Sequence, residues 1–390
     1  MSDVLQRLDA EFEGSLSTEE QQVLDAVKGI CRDIAERAED FDRTGTFPWS
    51  NIEAINALGL NTMFLPEEYG GYPLSFRCYL ACVREIAKAC ASTAIVWATN
   101  FHAIKPVVEY ASDAQKRRFL PVMAEGGLAA LAITEPSAGS DATGMTTRFV
   151  PDGDEIVITG SKTFITNGDV ADLYLLFGKW SLIDDPRKAI SVVVVEKGAK
   201  GLEVLRLEDK MGTRASSTAA ISFDEVRVPR SNLIGDPGDG LPILFGSLNR
   251  SRPSIAAHAL GIARAAFEEA TAYINERRQS GRAIIEFQGI QFMVADLAVD
   301  LAMCETWLWR VAAMVDGGQT DFGIEASMAK MRASDLAMQI ATDAVQLLGG
   351  YGYTRDYRVE RLMRDAKITQ IWEGTNQIHR QLVGRSFLRK

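Results

Sequence analysis

Apolar residues recur at helical spacing through Val23, Leu24, Val27, Ile30, Cys31, Ile34 and Ala38, which predicts a helix with one buried face. Ser17, with Glu20 three residues on, predicts a capping box at its start. The pattern breaks at Thr44–Pro48, resumes as helix to Gly59, and breaks again at Pro66–Pro73, a loop rich in Gly and Pro. From Phe76 to Ala111 few breakers interrupt a stretch of Ala, Ile, Val and Cys, which predicts buried helices. After Gly126–Gly127 the period changes. Short β-branched runs at Ile156–Thr159, Tyr174–Phe177, Ile190–Val195, Leu202–Leu207 and Ala220–Val228 alternate with turns at Pro151–Gly153, Asn167–Gly168 and Asp184–Pro186. With no crossover helices between them, these strands predict a compact antiparallel β domain. Asp236–Gly240 reads as a boundary, and helices return beyond it. One amphipathic helix runs through Ile255, Ala259, Ile262, Ala266, Ala270 and Tyr273. A second spans Glu286–Gly317, and a third runs from about Gly323 to Leu348, where Gly349–Gly350 stops it. The expected architecture is α+β: an N-terminal helical domain (1–130), a β domain (131–238) and a C-terminal helical bundle (239–390).

Composition narrows the classes. The chain has 390 residues, 47% hydrophobic and 24% charged, as expected for a globular protein of two or three domains. The net charge of −10 offers no basic face for nucleic acid. The longest apolar β-like stretch, Ile190–Val195, is far too short to span a membrane. Five scattered cysteines do not make a disulfide framework and fit a reducing compartment; Cys78 and Cys82 read as small buried side chains. The acidic start, with Asp3, Asp9, Glu11, Glu13, Glu19 and Glu20 against Arg7, is unlike a signal or transit peptide, so the expected location is cytoplasmic.

Several chemistries lack their residues. There is no G-x-x-x-x-G-K-[ST], no G-x-G-x-x-G after a strand and no H-E-x-x-H. The histidines, His102, His258 and His379, are far apart in sequence, which leaves zinc sites and Ser–His–Asp hydrolysis unsupported; His102 and His258 read as packing residues. Four clusters remain, each with a plain alternative. In the run 132–142, Gly139 lets a backbone approach a ligand, while Thr134 and Ser140 offer hydroxyls to an anion; a polar turn would look the same. In the run 160–168, alternation puts Phe164 and Thr166 on one strand face, ring and hydroxyl ready for a flat cofactor; a plain hairpin explains it equally well. Arg277, Arg278 and Arg282, followed by Gln288, can hold phosphates or be a solvated charge run. Finally Gln346-x-x-Gly349-Gly-Tyr-Gly352 precedes Trp372-Glu-Gly-Thr-Asn-Gln377, where Glu373 on an apolar-flanked stretch can serve as a base or be a surface Glu in a turn.

The order and spacing of these clusters resemble the acyl-CoA dehydrogenase family, from about Leu60 to Arg380. The motifs are T-E-P-x-A-G-S-D at 134–141, K-x-x-I-T-N-G at 162–168, K-M-G-x-R-x-S-x-T at 210–218 and F-x-x-V-x-V-P at 223–229. Q-x-x-G-G-x-G at 346–352, R-D-A-K at 364–367 and E-G-T-x-Q-I at 373–378 complete the set. The resemblance implies a helical domain, a central antiparallel β-barrel and a four-helix bundle, and FAD bound without a Rossmann fold. It implies that Ile133, Thr134, Gly139 and Ser140 hold the flavin and its pyrophosphate, with Thr166 near flavin N5 and Phe164 standing where the family often has Trp. Arg277, Gln288, Gln346, Gly349 and Gly350 match residues that reach the adenosine end from a neighbouring subunit, implying a homo-oligomer, in this family usually a tetramer. Ser280 stands where an aromatic is usual. Thr375 and Gln377 are further cofactor contacts by position.

By the same resemblance Glu373 is the base of short- and medium-chain members; the second family location for a base, before Arg252, is Ser251 here. Ser140, Arg252, Gly374 and Trp97 match substrate contacts, and Asn249 replaces an acidic residue there. The implied reaction removes the α-proton of an acyl-CoA at Glu373 and passes the β-hydride to flavin N5, giving a trans-2-enoyl-CoA and electrons for an electron-transfer flavoprotein. No metal is implied. An oxidase or flavin monooxygenase, or a non-oxidative lyase or desulfinase, on the same scaffold are the alternatives. Trp97 and Phe101 hint at a short, branched or cyclic acyl group, and Thr93 replaces the arginine of dicarboxylate-specific members.

Overall fold

In a computed structural model, which describes residues 3–388, the helical prediction for the first third holds. Helices α1 (Asp3–Gly14), α2 (Thr18–Thr44), α3 (Trp49–Ala57), α4 (Phe76–Ala89), α5 (Ala91–Tyr110) and α6 (Asp113–Ala124) follow one another. The Ser17/Glu20 capping box forms, and Gly45 at φ 68° ends α2, a conformation that a Cβ disfavours. Ser112 and Gln115 make a second box that starts α6.

The sheet then runs through β1 (Ala129–Ala132), β2 (Arg148–Asp152), β3 (Glu155–Thr166), β4 (Leu173–Trp180), β5 (Ile190–Glu196), β6 (Leu202–Leu207), β7 (Thr218–Pro229) and β8 (Leu233–Ile234). Its order is β6-β7-β3-β2-β4-β5-β8, with β1 also paired to β4. Every predicted strand is present, and most neighbours are antiparallel. Two junctions are not: β1 and β2 each pair β4 in parallel. The period-2 pattern could not show this, because β1 is a four-residue run of Ala and Leu that arrives directly from α6, and its direction is set by docking, not by a hairpin.

Beyond the sheet lie α7 (Gly240–Glu276), a hairpin of β9 (Arg278–Gln279) and β10 (Arg282–Ala283), α8 (Gln288–Asp316), α9 (Gly323–Leu348), α10 (Val359–Thr369) and α11 (Asn376–Arg385). The amphipathic reading of α7 fails in its middle: every residue from Ser251 to Phe267 is buried. The helix packs on α4 and α5 on one side and on α8, α9 and α10 on the other, so no side of this stretch meets water. Consequently the helices before and after the sheet share one core, in which Leu80, Val96, Leu260, Leu308 and Ile340 all take part. A second core, around Phe149, Ile158, Trp180 and Phe223, lies within the sheet. Among the described residues no helix is long and apolar enough to cross a membrane.

Candidate functional site

The first two sequence clusters meet at the end of β1. Thr163 N–H donates to Thr134 O at 2.9 Å, which fixes β3 against the turn after β1. Beneath it Glu135, which the sequence reading passed over, accepts from the N–H and hydroxyl groups of both Thr146 and Thr147 at 2.6–2.9 Å and from Lys162 Nζ at 2.8 Å. Lys162 also donates to Ile133 O at 2.9 Å. Burial opposes the charge on Glu135, but Lys162 and the threonines outweigh it and hold the carboxyl at about 2. Burial brings Lys162 down to about 8, with Glu135 opposing. On this platform Ile133, Thr134 and Thr166 are half-buried, and Gly139 and Ser140 are exposed. A bulge between Lys162 and Ile165 sets Phe164 at φ 57°. Its ring is 62% exposed, whereas Ile165 enters the sheet core. An apolar ring held out of the core and a cradle open above Gly139, where a Cβ would meet nothing within 4 Å, fit a flat cofactor.

The third cluster lies elsewhere. Arg277 closes α7, and its guanidinium stands 5.6 Å from the Tyr351 ring centroid, so it is brought to the Gly349–Tyr353 turn. Arg278 and Arg282 sit on the β9–β10 hairpin, whose turn, Ser280 and Gly281, has φ 53° and 82°. Gln288 opens α8, and Gln346 is in the last turn of α9; both are exposed, as are Arg277, Gly349 and Gly350. All of these crowd at one end of the bundle.

The fourth cluster forms around Glu373, at φ 53° in a left-handed turn with Gly374 at 92°. Such a conformation costs a residue with a Cβ roughly 1–2 kcal/mol, so its surroundings must hold it. Ser251 Oγ donates to Glu373 Oε2 at 2.5 Å. The two sequence positions offered for a base thus face each other, and Ser251 supports the carboxylate. Next to Ser251, Arg252 is buried and donates to Asn249 Oδ1 at 2.9 Å and to Ser327 Oγ at 3.4 Å, while its Nε has no partner. Burial lowers its pKa, opposed by Glu373. His102 and His258 are buried, as expected, and burial lowers the pKa of both, that of His258 to about 4. Trp97 is buried against Tyr79 at 5.5 Å, and Tyr79, which feels the Glu373 charge, bonds Ser254 at 2.8 Å. Thr93 is occupied by Asn51 Nδ2 at 2.8 Å. Besides Arg252 Nε, the indole N–H groups of Trp97 and Trp372 and ring nitrogens of His102, His258 and His379 are buried without partners. Each such group costs about 1–3 kcal/mol unless something bonds it, and their gathering here fits a site that receives a ligand.

Two expected cofactor contacts have local work. Thr375 Oγ1 caps α11 by accepting from Ile378 N–H at 3.4 Å, and Gln377 is exposed on that helix. Other motif residues join elements. Thr213 N–H donates to Asp365 Oδ1 at 2.5 Å, and a Cβ on Gly212 would stand 2.3 Å from Arg364 O, so K-M-G-x-R locks the sheet to R-D-A-K on α10. Lys330, Asn376 and His379 surround the Glu373 turn; Asn376 and His379 lie within or just beyond the run that carries Glu373 but were given no role there, and Lys330, 43 positions away, carries no signal in sequence.

A helical–sheet–helical chain with an open platform and a half-buried carboxylate in a left-handed turn is the pattern of one flavoenzyme class, and comparison with known proteins agrees. Family models for the N-terminal, middle and C-terminal domains of acyl-CoA dehydrogenases match residues 17–127, 130–226 and 238–388. A short-chain-specific acyl-CoA dehydrogenase of Clostridium acetobutylicum is 38% identical over 95% of this chain and 99% of its own. The structure of butyryl-CoA dehydrogenase from Megasphaera elsdenii superposes with a TM-score of 0.93 at 35% identity, covering 96% of this chain and 99% of that one. A glutaryl-CoA dehydrogenase from Mycobacterium smegmatis, solved in complex with FADH2, gives 0.89 at 25% identity and 96% coverage of both. The chain belongs to the acyl-CoA dehydrogenase family, and its class is that of an oxidoreductase acting on acyl-CoA.

Proposed function

We propose that this protein carries out FAD-dependent α,β-dehydrogenation of an acyl-CoA thioester to a trans-2-enoyl-CoA, with Glu373 as the base. The observation that carries the reading is the Glu373 carboxylate, held in a left-handed turn and hydrogen-bonded by Ser251 near buried nitrogen atoms that have no partner. Ile133, Thr134, Gly139, Ser140, Phe164 and Thr166 would hold the flavin, and Thr375 and Gln377 would contact it. FAD bound there supplies the acceptor for the hydride that leaves the β-carbon. Arg252 and Asn249, with Ser140, Gly374 and Trp97, would meet the acyl-CoA. A thioester α-proton is too weakly acidic for a carboxylate in water. Closing the site on the acyl chain excludes water from around Glu373 as it accepts that proton.

Two copies are needed. Arg277 stands 26 residues beyond Ser251 on the same helix, about 39 Å at the helical rise of 1.5 Å per residue. That is too far for one dinucleotide to touch both Glu373's surroundings and this chain's own Arg277. The adenosine end is therefore met by Arg277, Gln288, Gln346, Gly349 and Gly350 of a second copy. The exposed Phe292, Val299 and Met303 on α8 give that copy an apolar face to cover, in a homo-oligomer of tetramer type. Electrons pass on to an electron-transfer flavoprotein, in the cytoplasm.

Anaerobic flavin reduction by a panel of acyl-CoA thioesters tests the reaction and identifies the acyl group. Glu373→Gln is expected to keep FAD and acyl-CoA binding and to lose at least ~10²-fold in flavin reduction. Near-normal reduction by that variant rejects the assignment.

A further inference from the structure

Lys330 of α9 is completely buried, and its Nζ donates to Gly374 O at 2.8 Å and to Asn376 Oδ1 at 3.0 Å. Both acceptors belong to the chain that leaves the left-handed Glu373–Gly374 turn. Asn376 is itself anchored: its Nδ2 donates to Asp335 Oδ1 at 2.7 Å and to Ser334 Oγ at 2.9 Å, and its N–H donates to Gln370 O at 3.0 Å. His379 closes the opposite side, where a Cβ on Gly374 would stand 3.2 Å from its Nε2. The turn is thus gripped from α9 and α11, with Lys330 a charged donor on the Gly374 carbonyl.

We propose that Lys330 is the positioning residue of the base: by holding the Gly374 carbonyl from below, it fixes where the Glu373 carboxyl stands against the acyl α-carbon. This rests on Glu373 being the base. An ammonium is a poor choice for mere packing. Burial pulls Lys330 down to about 7, the Glu373 and Asp335 carboxylates favour its charge, and Arg252 opposes it. A methionine of similar length would fill the same space without that burden. What the lysine provides is a strong directional donor at one carbonyl, beside a residue whose backbone conformation needs holding. Misplacing a reacting group by about 1 Å can lower a rate by 10² while leaving binding intact.

The test uses the FAD-loaded protein in deuterated buffer and follows solvent exchange at the acyl α-carbon, together with acyl-CoA affinity and the thermal midpoint. Lys330→Met is expected to slow exchange at least tenfold, with acyl-CoA affinity and flavin content within about twofold of the parent, whereas Lys330→Gln, which restores a donor, recovers part of the loss. Unchanged exchange in Lys330→Met overturns the proposal, and so does a loss no larger than the fall in bound acyl-CoA or flavin, which is what a packing role gives. Should Lys330→Met not fold, Lys330→Gln carries the test: a threefold to tenfold loss with binding intact supports it, and none overturns it. Glu373→Gln in parallel separates the two claims. If it exchanges like the parent, the base assignment itself fails, whatever Lys330 does.

Discussion

Lys162 and Lys330 are both buried, in different company. Lys162 ends on the Glu135 carboxylate and the Ile133 carbonyl, and that carboxylate is in turn saturated by two threonines. Lys330 ends on neutral acceptors only, with Arg252, His102, His379 and two indoles nearby carrying unpaired nitrogen atoms. Every charge in the first region has its partner inside the protein. In the second, several buried nitrogen atoms have no partner and the chain conformation is held against its own preference. A buried polar network that is complete makes a platform; one that is incomplete waits for a ligand.

The largest expected effect breaks the complete network. Lys162→Met leaves the buried Glu135 charged with no cation beside it and should cost about 3–5 kcal/mol in denaturant unfolding, with the flavin platform failing before the helical core. A loss under 1 kcal/mol would show that the pair is not what anchors the turn after β1. Next comes Ser251→Ala. It removes one hydrogen bond to a carboxylate, worth about 1.5–3 kcal/mol, and should lower flavin reduction roughly tenfold to a hundredfold with flavin content unchanged. No change in rate would mean that Ser251 does not support Glu373 during the reaction.

Titration sharpens the contrast. Glu135 is held at about 2 against an ordinary 4.5, so its contribution is complete above pH 4.5 and is lost as pH falls towards 2. Lys330 behaves in the opposite sense. Its native value of about 7 lies below the ordinary 10.5, so the unfolded chain binds more protons between them and stability rises with pH across that window. Thermal midpoints measured from pH 7 to 10 should rise less steeply in Lys330→Met than in the parent; an unaltered slope would refute the assignment. The smallest effect is that of Thr375→Ala, which removes the α11 cap and should cost about 1 kcal/mol. A much larger loss of flavin than of stability would make the hydroxyl a cofactor contact besides.

Elements with one wet face were legible in sequence: α2 with its capping box, and the strands of alternating burial such as β3 and β7. The middle of α7 was misread because burial on all sides erases the period that marks a face. At the candidate site, Glu373 was proposed from its motif, whereas Glu135, Lys162, Ser251 and Lys330 act through partners that sequence does not juxtapose. Ser251 lies 122 positions from the carboxylate it supports.

The order of elements, their caps and stops, and the family to which the chain belongs were written in the amino-acid sequence alone, because local spacing and composition act over a few residues. Which side chains confront one another was decided by the tertiary structure. Only packing α7, α9 and the chain after α10 into one core brings Ser251, Lys330 and Glu373 together, and the strength of a charge or donor depends on the burial that this packing creates.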